Sequence, residues 1–297
     1  MEEIIDARSL LEESRRRQRR RNIAVKAVQY TALSIISMFF LFLFFFMFFK
    51  SVMGNAESYG DPQVRFFPTE WHFENYFKVF DEKFIRYLLN TMLVIVITVI
   101  GVPFAAAMCA FGFSKCEFPG RNLCFTATLA TMMLPAAVSQ VSLYVLFRTL
   151  GMVGNLSPLI VPPLFGGGAT NIFLMRQFMK SLPRQLDEAA EIDGANKFQI
   201  FFRIMLPLCV PIIVFVMIGT FTAGWNDFSS ALVYVTKEQN YTLALGIYYK
   251  FLINGSTDVF PNVKMATGVV MVIPVAILFL IFQKQLIEGV VTTGMKG

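Results

Sequence analysis

The sequence predicts an all-α polytopic membrane protein: six transmembrane helices with a helix-turn-helix loop on the cytoplasmic face. Three observations predict it. The 297 residues are 56% hydrophobic and only 15% charged, well below the roughly 25% charge of soluble domains. Several apolar blocks reach the roughly 20 residues that cross a bilayer. One long stretch, 182–211, mixes charges freely with apolar residues between two such blocks, so it belongs at a water-facing surface.

The chain divides into a basic tail (1–26), a six-helix membrane domain (27–286) that contains the loop at 182–206, and a short tail (287–297). Arg15, Arg16, Arg17, Arg19, Arg20 and Arg21 form one basic run before the first apolar block. Such a run holds its end in the cytoplasm and sits on anionic lipid headgroups. The apolar block that follows is too long for the core of a secretory leader, so the first span reads as a retained anchor.

The first span, about 27–49, is crowded with Phe, of which the chain has 33, and carries no charge. An external segment of Gly and Pro breaks follows, ending near Trp71 and the single histidine, His72. With no Cys or His neighbour to share a metal, His72 reads as a surface residue. The second span covers about 85–111, with Pro103 inside it, and ends in a short basic loop. The third covers about 122–147 with Pro135. The fourth covers about 156–178 with Pro162, Pro163, Gly166, Gly167 and Gly168. Prolines and glycines at membrane depth require neighbours that satisfy the freed backbone, which places these helices beside a pathway or a partner. The fifth span, about 204–224, leaves the membrane at Trp225, read as an interfacial anchor. The sixth covers about 265–282 with Pro274.

Six crossings put both termini and the 182–206 loop on one side. Most of the 26 Lys and Arg then lie on that side, as the positive-inside rule expects for a cytoplasmic face. Cys109, Cys116, Cys124 and Cys209 lack metal-like spacing and read as small apolar residues. The net charge of +6 follows membrane topology rather than nucleic-acid binding.

The loop has its own grammar. Leu182, Leu186, Ala189 and Ala190 form one stripe of a short amphipathic helix, while Asp187, Glu188 and Glu191 point elsewhere. Gly194 suits a left-handed helix end, Asn196 a new N-cap, and Pro207 the return to a span. The adjacent Ala189 and Ala190 would let another protein approach closely, with Glu188 as a charge for its Arg or Lys.

No GxxxxGK[ST] phosphate loop, HExxH or GxSxG occurs, and the spans hold almost no ionisable side chains. These absences argue against an ATPase, an intramembrane protease and a proton-coupled carrier, and leave a helix bundle driven from outside itself.

The spacing Glu188-Ala189-Ala190, three residues, Gly194, nine residues, Ile204, one residue, Leu206-Pro207 resembles the "EAA" loop of permease subunits of bacterial ATP-driven importers. With the Trp225-Asn226-Asp227-Phe228 to Thr242-Leu243 region and the Gly-rich end at Lys296-Gly297, the chain is similar to MalG-type permeases of carbohydrate ABC importers. That resemblance implies a subunit that forms half of a translocation pathway in a bacterial cell membrane, most readily for a sugar or oligosaccharide. The alternative is an importer for an amino acid, phosphate or polyamine. It also implies partners: a second, MalF-type permease, two ATPase subunits that carry ATP and magnesium, an extracellular solute-binding protein, and membrane lipid. This chain then holds no cofactor. Carried over, the ATPase-coupling residues are Glu188, Ala189, Ala190, Asp193, Gly194, Ile204, Leu206 and Pro207. Gly294, Lys296 and Gly297 would touch the ATPase from the C-terminal tail, and Asn254, Gly255, Ser256 and Thr257 the binding protein.

Overall fold

The computed structural model describes residues 2–59, 66–183, 185–253 and 260–294. Among those residues there are helices, turns and short connecting segments and no strand. The elements in order are α1 (Glu2–Ser51), α2 (Asn55–Tyr59), α3 (Glu74–Val79), α4 (Glu82–Lys115), α5 (Arg121–Thr131), α6 (Ala136–Thr149), α7 (Ser157–Leu164), α8 (Ala169–Ser181), α9 (Gln185–Ile192), α10 (Lys197–Ile200), α11 (Leu206–Leu208), α12 (Val210–Trp225), α13 (Ser229–Tyr234), α14 (Leu243–Tyr248) and α15 (Pro261–Gly294). Wider π-helical turns follow α10, at Phe201–Met205, and α14, at Tyr249–Ile253.

Among the described residues, four helical stretches are long and apolar enough to cross a membrane: Asn22–Ser51, Glu82–Lys115, Ser157–Ser181 and Pro261–Gln285. A fifth is a pair, Lys197–Leu208 and Val210–Trp225, bent by 75°. The predicted third span is not one continuous helix. It is α5 and α6, of 11 and 14 residues, each about 15–20 Å long at 1.5 Å per residue against a hydrocarbon core of about 30 Å. Pro135 stands at the break as the N-cap of α6, so it divides this span rather than kinking it. The basic run 15–21 continues into the first span within the single helix α1.

The chain's contacts form two units, Met1–Tyr76 with Phe260–Val270, and Phe77–Val259 with Met271–Gly297. In the first, buried amides tie off the end of α1. Asn75 donates to the carbonyls of Ser51 and Met53, both at 3.0 Å. Asn262 donates to Met53 at 2.8 Å and to the side chain of Asn55 at 3.0 Å. A helix C-terminus leaves its last carbonyls without intrahelical partners, and in a buried setting these side chains supply them. His72 here hydrogen-bonds Glu74 at 2.7 Å.

The second unit is built around α4. Ala106, Ala107 and Ala110 form a buried small-residue face on which α8 packs through Ile172, Met175 and Met179, and the bent helix through Phe201, Met205, Cys209, Ile212 and Val216. Small side chains allow the close backbone approach on which helix packing in membranes relies. The turn between α7 and α8 presses on the same helix. Gly167 has φ +72°, and a Cβ there would meet the Val102 carbonyl at 2.5 Å and the Ala106 Cβ at 2.8 Å. Trp225 is buried rather than interfacial. Its indole N–H donates to the Met271 carbonyl at 3.1 Å and its ring stacks on Phe221, because a buried indole needs one acceptor and finds it there.

Gly167→Ala therefore forces backbone against backbone at a left-handed position. Its expected cost is roughly 1–3 kcal/mol, read as a lower melting temperature in detergent, whereas Gly112→Ala, where a Cβ meets nothing within 4 Å, leaves that temperature unchanged.

Candidate functional site

Two features stand out in the second unit: the hairpin of α9 and α10, and a mostly apolar cavity with several hydroxyl-bearing residues on the flank of α4. The hairpin forms as the local sequence dictates. Helix α9 ends with Ala195 N–H donating to Ala190 O at 2.9 Å and Gly194 N–H to Glu191 O at 3.0 Å, the paired bonds of a Schellman turn. Gly194 takes φ +81°, which other residues adopt at a cost of about 1 kcal/mol or more. Two residues on, Asn196 accepts from Gln199 N–H while the Gln199 side chain accepts from Asn196 N–H, a full capping box.

The faces of α9 differ from the simple stripe. Ala190 is buried in the core with Met175, Met179 and Ile200, but Leu186 and Ala189 are exposed, and Ile192 is 86% exposed. Only one of the two alanines therefore faces outward. Asp187 turns inward and pairs with Lys115, the last residue of α4, at 2.6 Å, with side chains 15% and 9% exposed. Sorting residues by polarity put Asp187 with the water-facing acids; a carboxylate goes inward when a cation meets it, and periodicity cannot report that partner. Glu188 and Asp193 are exposed, and Glu191 pairs with Lys197 across the turn. Ile204 and Leu206 are half-buried against the same core, and Pro207 is exposed. Along the second helix and the wide turn at Phe201–Met205, the residues that face inward are Ile200, Phe201, Met205 and Cys209. The bend falls at Cys209, two residues beyond Pro207.

Beside the hairpin lies an open charged cavity of about 650 Å³, walled by Ser114, Lys115, Glu117, Arg121, Lys180, Asp187, Glu188, Glu191 and Lys197. The Lys115 and Asp187 pair closes its inner wall.

The second cavity, of about 600 Å³, is lined by Thr91, Val94, Thr98 and Val102 of α4, Leu159, Pro163, Gly167 and Asn171 of the α7 to α8 stretch, Gly219, Thr220, Ala223 and Gly224 of α12, and Asp227, Ser230 and Thr242 beyond it. No linear motif announces it. The one foretaste in the sequence is the set of Pro and Gly residues in the fourth span, of which Pro163 and Gly167 reach its wall. At the Glu82 end of α4, Lys83 pairs with Glu238 at 2.6 Å and Lys250 with Asp81 at 2.7 Å. The bond from Lys83 holds the exposed Glu238 carboxyl below its ordinary range.

Among the described residues no group of three or more His, Cys, Asp or Glu could hold a metal ion. The predicted contacts at Asn254, Gly255, Ser256 and Thr257, and at Lys296 and Gly297, lie outside the described residues; Gly294 is the last residue of α15.

The described residues thus form a bundle of long apolar helices with a short two-helix hairpin packed on α4. Residues 104–291 match the family of binding-protein-dependent transport system inner membrane components, and the chain belongs to that family. It is 33% identical over 230 residues to the probable ABC transporter permease protein YurM of Bacillus subtilis, covering 77% of this chain and 76% of that protein. It is 31% identical over 234 residues to the galactooligosaccharides transport system permease protein GanQ of Bacillus subtilis, covering 77% and 82%. It is 31% identical over 216 residues to the maltose/maltodextrin transport system permease protein MalG of Salmonella typhimurium, covering 71% and 72%. A chain of a bacterial ABC transporter involved in the import of the acidic polysaccharide alginate has the same fold, with a TM-score of 0.77 and 24% identity over 86% of this chain and 94% of that one.

Removing one partner of a largely buried ion pair strands the other. Asp187→Asn should cost about 3 kcal/mol, the low end for such a pair. Replacing both, as Lys115→Met with Asp187→Leu, should recover much of that loss in the same thermal unfolding measurement.

Proposed function

We propose that this chain is one of two permease subunits of an ATP-driven sugar or oligosaccharide importer of a bacterial cytoplasmic membrane, and that the hairpin of α9 and α10 is where a separate ATPase drives it. The observation that carries the reading is a shared core. Ala190 and Ile200 of the hairpin, with Phe201 and Met205 of the turn that follows it, pack with Ala106, Ala110 and Phe111 of α4, and the same α4 supplies Thr91, Thr98 and Val102 to the cavity. A push on the hairpin is therefore a push on a cavity wall.

The outward face supports docking. Leu186, Ala189, Ile192 and Phe198 are exposed apolar groups beside the exposed Glu188, an apolar patch with a charge at its rim, as protein interfaces use. In this reading the six-crossing topology holds, with α5 and α6 as one broken span, both termini and the hairpin cytoplasmic, and the division into 1–26, 27–286 and 287–297 kept. Partners are a second permease, two ATPase subunits that bind ATP and magnesium, and an external solute-binding protein. Relatives named for galactooligosaccharides, diacetylchitobiose and maltodextrin favour a saccharide over other solutes.

The mechanism we propose uses that shared core. Closure of the ATPase dimer on ATP carries α9 inward, α4 follows through the common core, and the cavity opens outward to receive solute from the binding protein. Hydrolysis reverses the movement.

Glu188→Lys reverses the rim charge and Gly194→Val forces a branched residue into a left-handed turn. Both should leave membrane insertion intact while lowering uptake at least about fivefold relative to ATP hydrolysed, the lower range of a coupling energy. The check is paired uptake and ATPase assays on the whole importer in proteoliposomes; wild-type uptake per ATP in both variants contradicts the assignment.

A further inference from the structure

Helix α8 carries a buried charge within an apolar span. Arg176 lies inside the stretch Ser157–Ser181 and is only 9% exposed. No carboxylate among the described residues pairs with it. Its Nε–H donates instead to the Phe113 carbonyl at 3.2 Å, and its guanidinium lies over the Phe125 ring, 3.8 Å from the centroid. Phe113 is in the last turn of α4, where carbonyls lack intrahelical partners and the helix dipole is negative, and an aromatic face attracts a cation. Arg121, the first residue of α5, donates likewise to the Cys116 carbonyl at 3.1 Å.

Arg176 therefore ties three elements: α8, which carries it, α4 through a carbonyl, and α5 through an aromatic face. The tie to α5 matters most, because Phe125 is the one buried residue of that 11-residue helix. Its ring also packs on Phe113, with centroids 5.5 Å apart. Replacing buried charges by well-packed apolar groups is often neutral or stabilising, so stability alone gives no reason for a cation here. What a guanidinium adds is direction: one N–H fixed on one carbonyl, one flat face on one ring.

We infer that Arg176 is a positioning residue of the transport cycle, pinning α5 to α4 and α8 so that the first half of the third span follows when the hairpin moves. Helix α8 ends at Ser181 and the hairpin begins at Gln185, so the two are joined along the chain. Helix α4 is joined to the hairpin by their common core. No residue of α5 joins that core, and its share of the movement passes through Arg176 and Phe125, with the Arg121 bond beside them. The inference rests on the importer reading and adds a moving part to it.

The test uses the complete importer in proteoliposomes, with native cysteines replaced and spin labels on α4 at Ile100→Cys and on α5 at Ala127→Cys, both exposed positions. With Arg176 in place, the distance between the labels should be the same without nucleotide and with ATP bound. Arg176→Met should let that distance shift on ATP binding, and should lower uptake of galacto- or malto-oligosaccharides per ATP hydrolysed at least about fivefold, the lower range of a coupling energy. Arg176→Lys, which keeps a cation and an N–H donor, should recover most of both. Phe125→Leu leaves the Arg176 bond to Phe113 in place and should act in the same direction as Arg176→Met, which keeps the test open if the methionine variant fails to assemble. A merely structural role would lower melting temperature and yield in step with uptake and leave the distance fixed in the complexes that survive; that result overturns the inference, as does wild-type uptake per ATP in both Arg176→Met and Phe125→Leu. The distance arm needs only ATP binding, so it decides on the pin even where the wild-type importer moves no saccharide, an outcome that contradicts the substrate reading instead.

Discussion

The small-residue face of α4 is the constraint on which the rest depends. Ala106, Ala107 and Ala110 are fully buried, and nothing larger would let α8, the turn at Gly167 and the bent helix through Met205 and Cys209 all reach the same stretch of one helix. Lipid supplies no hydrophobic drive for helices to associate, so close packing must do it. The same contact has a functional consequence: it places the base of the hairpin and the wall of the cavity on one rigid element.

The hairpin is built differently from the bundle. Its two helices are too short to be stable by themselves, and their ends are fixed by local bonds: the Gly194 turn, the Asn196 and Gln199 box, and the Glu191 to Lys197 pair. It is then held to the bundle by Ala190 and by the Lys115 to Asp187 pair. Rigid inside and anchored at its base, it leaves Leu186, Ala189 and Ile192 outward.

Much of this was legible in the sequence, and the rest was not for identifiable reasons. Helix existence followed from apolar blocks, and the Gly194 and Asn196 positions from residue chemistry that acts within four residues. What depended on distant partners was missed. Trp225 reads as an interfacial residue until the Met271 carbonyl takes its N–H. Asp187 reads as water-facing until Lys115 meets it. The bent helix turns its buried stripe through one wide turn at Phe201–Met205, which a period of 3.6 cannot show. The cavity gathers threonines and glycines from separate helices, each unremarkable in its own segment.

The central claim is that the hairpin and α4 move as one body. Pulsed electron resonance distances between spin labels at Gln185→Cys and Ile100→Cys, both exposed positions outside the docking patch, test it in the complete importer with the native cysteines replaced. The account predicts one distance that is unchanged between the nucleotide-free and ATP-bound states while uptake activity persists. A distance that shifts with nucleotide would show the hairpin swinging against α4 and would contradict it.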